Sequence, residues 1–351
     1  MSSSREADEA SSAASTEAQA ERPSGVLSPS TGANEAPGTP PKSSVLGGWA
    51  FRLARMVVVI YASIVALMAI FQRSLLYHPH REASISEEDA GFPQFQVAGV
   101  TVPGHDGTPL QGWLTLDRPA SSRDDIVPAL QASKKPLIIY FQGNAGNRLR
   151  NAGVLRPFTQ LGFHVLYVDH RGYGVNPGSP TEHDLVKDGR AIWDYARTTL
   201  GIPADRLVLF GESLGGGIAV AVAQSTCLDG QPPAGLVVSS TFSSIRRMAQ
   251  YLYPYVPVRP ILIDSFLSSE RIADVTCPLL QFHGTADTIV PVGIGRELFA
   301  AMPAASASGL AKKYVEIEGG DHYDIPSSIL SKELPAFARL AGCLLTDETP
   351  R

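Results

Sequence analysis

Apolar and polar positions alternate along the chain in three regimes, and each predicts a different kind of element. Up to residue 44 the only large apolar residues are Met1, Val26 and Leu27, set among Ser, Ala, Glu, Pro and Gly. Such a stretch cannot bury enough surface to offset the entropy of ordering it. A disordered tail is expected over residues 1–47. Residues 56–71, MVVVIYASIVALMAIF, then run without a charge. This run is just shorter than the roughly 17–25 residues of a spanning helix. Trp49, Phe51 and Leu53 lengthen it, with Arg52 and Arg55 near one end. The pattern predicts a single-pass transmembrane anchor over residues 48–74. The preceding tail is too long and too acidic for a signal-peptide n-region, and no A-x-A site follows the run. Lys42, Arg52 and Arg55 precede it, and Arg73 and Arg81 follow. That asymmetry points to a cytosolic N-terminus.

The third regime, residues 75–351, is expected to be one catalytic domain. Residues 96–102 and 110–116 flank Gly104-His105-Asp106-Gly107 and read as an antiparallel hairpin. Residues 117–135 read as a polar insertion. Short apolar runs follow at 137–140, 165–168, 207–210, 236–238, 279–282 and 314–317. Runs of this length suit strands buried on both faces. Helical stretches at 181–200, 215–224 and 292–302 lie between them, so the chain reads as an α/β fold with a mostly parallel sheet and right-handed crossovers. Between two of the runs, residues 244–275 form an insertion rich in aromatic and aliphatic side chains. Pro254, Pro257 and Pro260 break it into short pieces.

Composition narrows the chemistry. Of 351 residues, 44% are hydrophobic, and the formal net charge is −5. No basic block stands out, so nucleic acid is not an expected partner. Cys227, Cys277 and Cys343 form neither a CxxC pair nor a disulfide framework. The histidines lack H-E-x-x-H or paired spacing, so no catalytic metal is expected. No G-x-G-x-x-G follows the first strand, which disfavours a dinucleotide. Ser2 stands where N-myristoylation needs glycine.

Gly211-Glu212-Ser213-Leu214-Gly215 lies between the apolar run 207–210 and a helix-prone segment. A G-x-S-x-G in that setting is a nucleophile elbow: the serine sits on a sharp turn, and side chains at the flanking glycines would strike backbone. The helix that follows aims its N-terminus at the site, where negative charge is favoured. A serine hydroxyl also needs a base. Such elbows are followed in chain order by acid and then His. Only His283 and His322 follow Ser213. His283 ends an apolar run and reads as a packed strand end, whereas His322 lies in the glycine-rich loop Gly319-Gly320-Asp321-His322. We assign His322 as base. Asp287 is the expected acid, with Asp321 as its rival. Asn144, in the loop Gly143-Asn144-Ala145-Gly146-Asn147, and Leu214 are expected to supply the oxyanion-hole N–H groups.

Taken together, GNAGN (143–147), DHRGYG (169–174), GESLGGG (211–217), HGTADTIVP (283–291) and GGDH (319–322) resemble the α/β-hydrolase superfamily. With RSLLYHPH (73–80) after a basic-flanked anchor, the pattern is similar to the N-terminally anchored monoacylglycerol and lysophospholipid lipases and their depalmitoylase relatives. The resemblance implies an α/β-hydrolase fold: a mostly parallel eight-stranded sheet, helices on both faces and a small lid at 244–275. It also implies a serine hydrolase without a cofactor, acting on a lipid or acyl ester. An acyl-protein thioester and a peptide are the alternative substrates, and a non-enzymatic binding protein is disfavoured because no triad residue is lost. An endoplasmic-reticulum or other endomembrane location would fit. Two departures stand out: Gln142 replaces the usual His, and Glu212, which is expected to point away, stands where related elbows often carry His or Arg. If 244–275 is a lid, Tyr251 and Phe266 are expected to line an acyl pocket. A chain starting near Glu82 is expected to be soluble and active.

Overall fold

The computed structural model describes residues 43–344. The expected tail falls largely outside the described residues, but 43–47 are helical: α1 runs Ser43–Leu76. Within α1, Gly48–Leu76 is long and apolar enough to cross a membrane, with a mean hydropathy of 2.3 over its most apolar window. The chain divides between Val58 and Val59 into two units. The described part of the first is the N-terminal portion of α1, which exposes Trp49, Phe51, Met56 and Val57.

The second unit is built on an eight-stranded sheet. In spatial order the strands are β10 (Lys313–Ile317), β9 (Leu279–Gly284), β8 (Gly235–Ser239), β7 (Leu207–Glu212), β4 (Leu137–Phe141), β6 (His164–Val168), β3 (Pro109–Thr115) and β2 (Val97–Pro103). All neighbours pair in parallel except β2 with β3 and β3 with β6. Every residue of β4, β6 and β8 is buried, as expected of strands covered on both faces. Alternate residues feed two cores. Ile139, Leu209 and Val238 join Trp193 and Ile218 on one face; Tyr140, Phe210 and Val237 join Phe158 and Leu334 on the other. A separate two-residue strand, β1 (His78–Pro79), pairs in parallel with β5 (Ala145–Gly146).

The helices that cover the sheet are α2 (Ile126–Ala132), α3 (Leu155–Gln160), α4 (Glu182–Thr198), α5 (Leu214–Leu228), α9 (Val292–Ala301) and α10 (Ser327–Leu340). The insertion holds α6 (Ile245–Leu252), α7 (Val258–Ile261) and α8 (Ser268–Arg271). The 117–135 segment is not wholly irregular. It contains α2, anchored by buried Ile126 and Leu130 at i, i+4, a signal too short to stand out in a polar stretch. Helix α4 starts where Thr181 Oγ1 accepts the Asp184 N–H at 3.0 Å.

The loop after β6 carries a buried cluster. Arg148 and Asp169 form an ion pair, and the Arg148 N–H donates to Asp169 Oδ1 at 2.6 Å. Next to it, His170 Nε2 lies 3.0 Å from the Gln142 carbonyl. Burial pushes the His170 imidazole down from 6.5 to about 4, against the hydrogen bond to Gln142. An unfolded histidine protonates near 6.5, and the folded one does so only near 4. The stability contributed by neutral His170 is therefore present above 6.5 and lost as pH falls through 4. His170→Gln should remove up to about 3 kcal/mol of the acid-induced loss between those limits. Denaturant unfolding of the protein across that range checks it; an unchanged slope would assign the loss to other groups.

Candidate active site

Ser213 joins β7 to α5 with φ 51° and ψ −117°, a conformation that costs a non-glycine residue about 1–3 kcal/mol. Its surroundings enforce that geometry. The Ser213 N–H donates to the Ser239 carbonyl at 2.9 Å, and Thr241 Oγ1 donates to the Ser213 carbonyl at 2.7 Å. The flanking glycines are there for space. A Cβ on Gly215 would lie 2.0 Å from the Phe141 carbonyl oxygen, and one on Gly211 would lie 2.4 Å from that of Gly215. The elbow thus brings the start of α5 against the end of β4, with its dipole's positive end beside Ser213.

Two loops at the neighbouring strand ends bring Asp287 and His322 together. A Cβ on Gly284 would lie 2.2 Å from the Gly320 carbonyl oxygen, which accepts the Ala286 N–H at 3.0 Å. With the loops so joined, Asp287 Oδ2 accepts from His322 Nδ1 at 2.8 Å. The other Asp287 oxygen accepts the N–H groups of Ile289 and Val290 at 2.9 and 2.8 Å. Burial works to raise the Asp287 carboxyl, but hydrogen bonds from His283, His322 and Val290 N–H outweigh it and hold the group well below the usual carboxylate range. Asp321 instead accepts from the Thr288 N–H and hydroxyl at 3.1 Å. His283 is fully buried and bonds to the Val290 carbonyl at 2.8 Å, with Asp287 Oδ2 at 3.4 Å. Among the described residues the Ser213 hydroxyl has no hydrogen-bond partner. Such contacts are often long without substrate and tighten in the complex.

Asn144 and Leu214 both border a cleft of about 220 Å³ with Ser213 at its wall. Gly143 packs near Ser213: its Cβ position lies 3.5 Å from the Ser213 Cβ. Residues whose role the sequence did not reveal hold this loop. The Asn144 carbonyl accepts the His78 N–H at 2.9 Å and the Tyr173 hydroxyl at 2.8 Å. Asn144 Nδ2 donates to the Leu76 carbonyl at 3.0 Å, the Gly146 N–H to His80 Nδ1 at 3.1 Å, and Asn147 Nδ2 to the His80 carbonyl at 3.0 Å. The RSLLYHPH stretch was the available signal, but it has no periodicity that predicts a two-residue strand. Gln142 Oε1 accepts from the Tyr167 hydroxyl and from Asn151 at 3.3 Å, so the side chain braces the loop from behind.

Three expectations are corrected. Phe266 does not line the cleft; it is fully buried, at 0% exposure, against Phe242 and Gly217. Tyr251 is 54% exposed and also lies outside the lining. Helix α6 turns Ile245, Met248, Ala249 and Leu252 to the cleft, which puts position 251 off that face. Glu212 does not point away. Its Oε2 accepts from the Tyr140 hydroxyl at 2.8 Å. Burial raises its carboxyl above the ordinary range, against that bond and the nearby His322 imidazole. Groups able to hold a metal, His105 with His183 and Asp184, and His105 with Asp106 and Asp188, include none of Ser213, Asp287 or His322. Arg171 already pairs with Asp106 and Asp188.

Known proteins resemble this chain. Residues 132–263 match the family model described as serine aminopeptidase, S33. An uncharacterized protein of Mycobacterium tuberculosis is 32% identical over 78% of this chain and 89% of its own length. The lysophosphatidylserine lipase ABHD12 of Danio rerio is 30% identical over 58% of this chain, and the chain spans 57% of that relative's length. Among solved structures, an α/β hydrolase from Vibrio vulnificus aligns with TM-score 0.54 at 15% identity over 71% of this chain and 81% of its own. An esterase from Pyrococcus furiosus aligns with TM-score 0.52 at 17% identity over 76% of this chain and 97% of its own. With its mostly parallel eight-stranded sheet and its lipase and esterase relatives, this chain belongs to the α/β-hydrolase superfamily and is a hydrolase.

Proposed function

We propose that the protein is a membrane-anchored serine hydrolase that cleaves monoacyl lipid esters through an acyl-enzyme on Ser213. One observation carries the reading: a largely aliphatic cleft that has Ser213 in its wall. Such a cleft suits an acyl chain, each buried CH₂ adding about 0.8 kcal/mol. The lysophosphatidylserine lipase among the relatives supports an ester of a lipid bearing one acyl chain. The apolar span Gly48–Leu76 supports single-pass anchoring, which would hold the cleft where such lipids are concentrated.

In this mechanism Ser213 Oγ attacks the ester carbonyl carbon while its proton passes to Nε2 of His322, the ring nitrogen left free by the Nδ1–Asp287 bond. The tetrahedral oxyanion takes hydrogen bonds from the N–H groups of Leu214 and Asn144. Its collapse breaks the bond to the alcohol, which leaves with the proton from His322. Water then attacks the acyl-enzyme, giving its proton to His322, and the carboxylic acid leaves as Ser213 is regenerated. Asp287 fixes the imidazole tautomer throughout.

A fluorophosphonate probe should label the wild-type protein and not Ser213→Ala; equal labelling would remove Ser213 from the mechanism. Asp287→Asn should lower kcat by roughly 10⁴-fold, as loss of the orienting carboxylate does elsewhere. Asp321→Asn, at a carboxylate that accepts from Thr288, should cost far less. A reversed order would exchange the two carboxylates' roles. Monoacylglycerol, acyl-thioester and aminoacyl-amide panels separate the lipase from the thioesterase and peptidase readings.

The contacts of residues 76–80 also change what truncation should do. A chain starting at Glu82 lacks β1 and the bonds from Leu76, His78 and His80 that fix the Asn144 loop. Instead of retaining activity, it should lose roughly 10²-fold or more in kcat on a water-soluble ester, the scale of one oxyanion-hole donor. Wild-type kcat from that truncated chain would show that residues 76–80 are not needed to hold the Asn144 loop.

A further inference from the structure

The cleft is not enclosed by the hydrolase core alone. Met68, Ala69, Gln72 and Leu76 of α1 line it together with Met248 and Leu262 of the insertion. Along α1, residues Val65, Met68, Ala69, Gln72 and Leu76 form a half-buried stripe at helical spacing. The opposite side of the same turns leaves Ile64, Leu67, Ile70 and Phe71 more than half exposed.

This helix is tied to the insertion at successive levels. Tyr61 donates to the Tyr255 carbonyl at 2.6 Å. Gln72 bridges two insertion groups, donating to the Ile261 carbonyl at 3.1 Å and accepting the Ile263 N–H at 2.7 Å. Asp264, only 4% exposed, accepts from Arg73 Nε and from the Tyr77 hydroxyl, each at 3.0 Å. The insertion also shows water an apolar rim. Tyr255 is 87% exposed and Ile263 64%. Exposed aromatic and aliphatic side chains continuous with a helix of spanning length are placed to contact lipid.

We propose that the last three turns of α1 are a wall of the acyl site, and that the insertion rim around Tyr255 and Ile263 beds in the bilayer that α1 enters. A single-chain lipid then passes from the leaflet to Ser213 between α1 and the insertion, without its chain crossing water. This rests on the monoacyl-ester reading above. It makes the anchor a specificity element, and it accounts for hydrogen bonds to the insertion from side chains of a helix that a mere tether would not need.

The test uses the full chain reconstituted in phosphatidylcholine vesicles, with long-chain monoacylglycerol in the bilayer and p-nitrophenyl acetate in the water. Tyr255→Glu/Ile263→Glu places two charges on the rim and none in the cleft. Monoacylglycerol kcat/KM should fall roughly tenfold or more while p-nitrophenyl acetate turnover is unchanged. Unchanged monoacylglycerol hydrolysis, or an equal fall on both substrates, overturns bilayer entry. Met68→Trp shortens the space along the wall. It should lower the ratio of C14 to C4 ester kcat/KM roughly tenfold, the loss of about two buried CH₂ groups. Leu67→Trp, on the far side of the helix, should leave that ratio alone. A Met68→Trp ratio equal to wild type overturns the wall. A wild-type protein that turns over p-nitrophenyl acetate but no monoacylglycerol removes the substrate reading, and this inference with it.

Discussion

The geometry of the site depends on one strained residue. Ser213 keeps a positive φ because the sheet and α5 leave it no other path: its N–H is spent on Ser239, its carbonyl on Thr241, and Gly211 and Gly215 clear the space. Strain of this order persists only where surrounding structure over-determines it. Here the surroundings are the central strands β4, β7 and β8, buried throughout apart from the elbow end of β7. The two cores packed on either face of the sheet therefore do more than stabilise the fold. They hold the turn that presents the proposed nucleophile to the cleft.

Each other part of the site is placed by a close approach to that sheet end. Gly284 lets the end of β9 touch the loop after β10 at Gly320, and the touch sets the distance between Asp287 and His322. Asp287 is then satisfied by four donors, counting the long contact from His283. A carboxylate so held remains ionised and fixes its partner ring. The Asn144 loop has a different support, from the segment that leaves α1. Strand β1, the His80 ring and the Leu76 carbonyl all end on residues 144–147. Helix α1 and the proposed oxyanion hole are thus joined through a few residues, so the end of α1 is part of the site's scaffold.

Much of this was legible before folding. Strands covered on both faces must be apolar throughout, so β4, β6, β7 and β8 stood out as short runs. The elbow was legible because sterics, not packing preference, demand its glycines. Less visible was anything decided by the phase of a short helix or by a rotamer. Tyr251 and Leu252 are equally plausible cleft residues in sequence, and only the seating of α6 selects Leu252. Phe266 is apolar enough for either a pocket or a core; Gly217 and Phe242 make room for it inside. Glu212 reads as a surface carboxylate until the Tyr140 hydroxyl is found beneath it.

The sequence by itself determined the fold class, the elbow, the chain order of the proposed serine, acid and base, and an apolar span before them. These follow from local rules: periodicity, backbone sterics and chain order. Only the tertiary structure decided which side chains face the cleft, that residues 76–80 brace the Asn144 loop, and that Arg73 and Tyr77 meet Asp264 across more than half the chain. Those contacts join residues far apart in sequence through single hydrogen bonds. A hydrogen bond leaves no periodic trace in either partner's neighbourhood, so nothing local announces it.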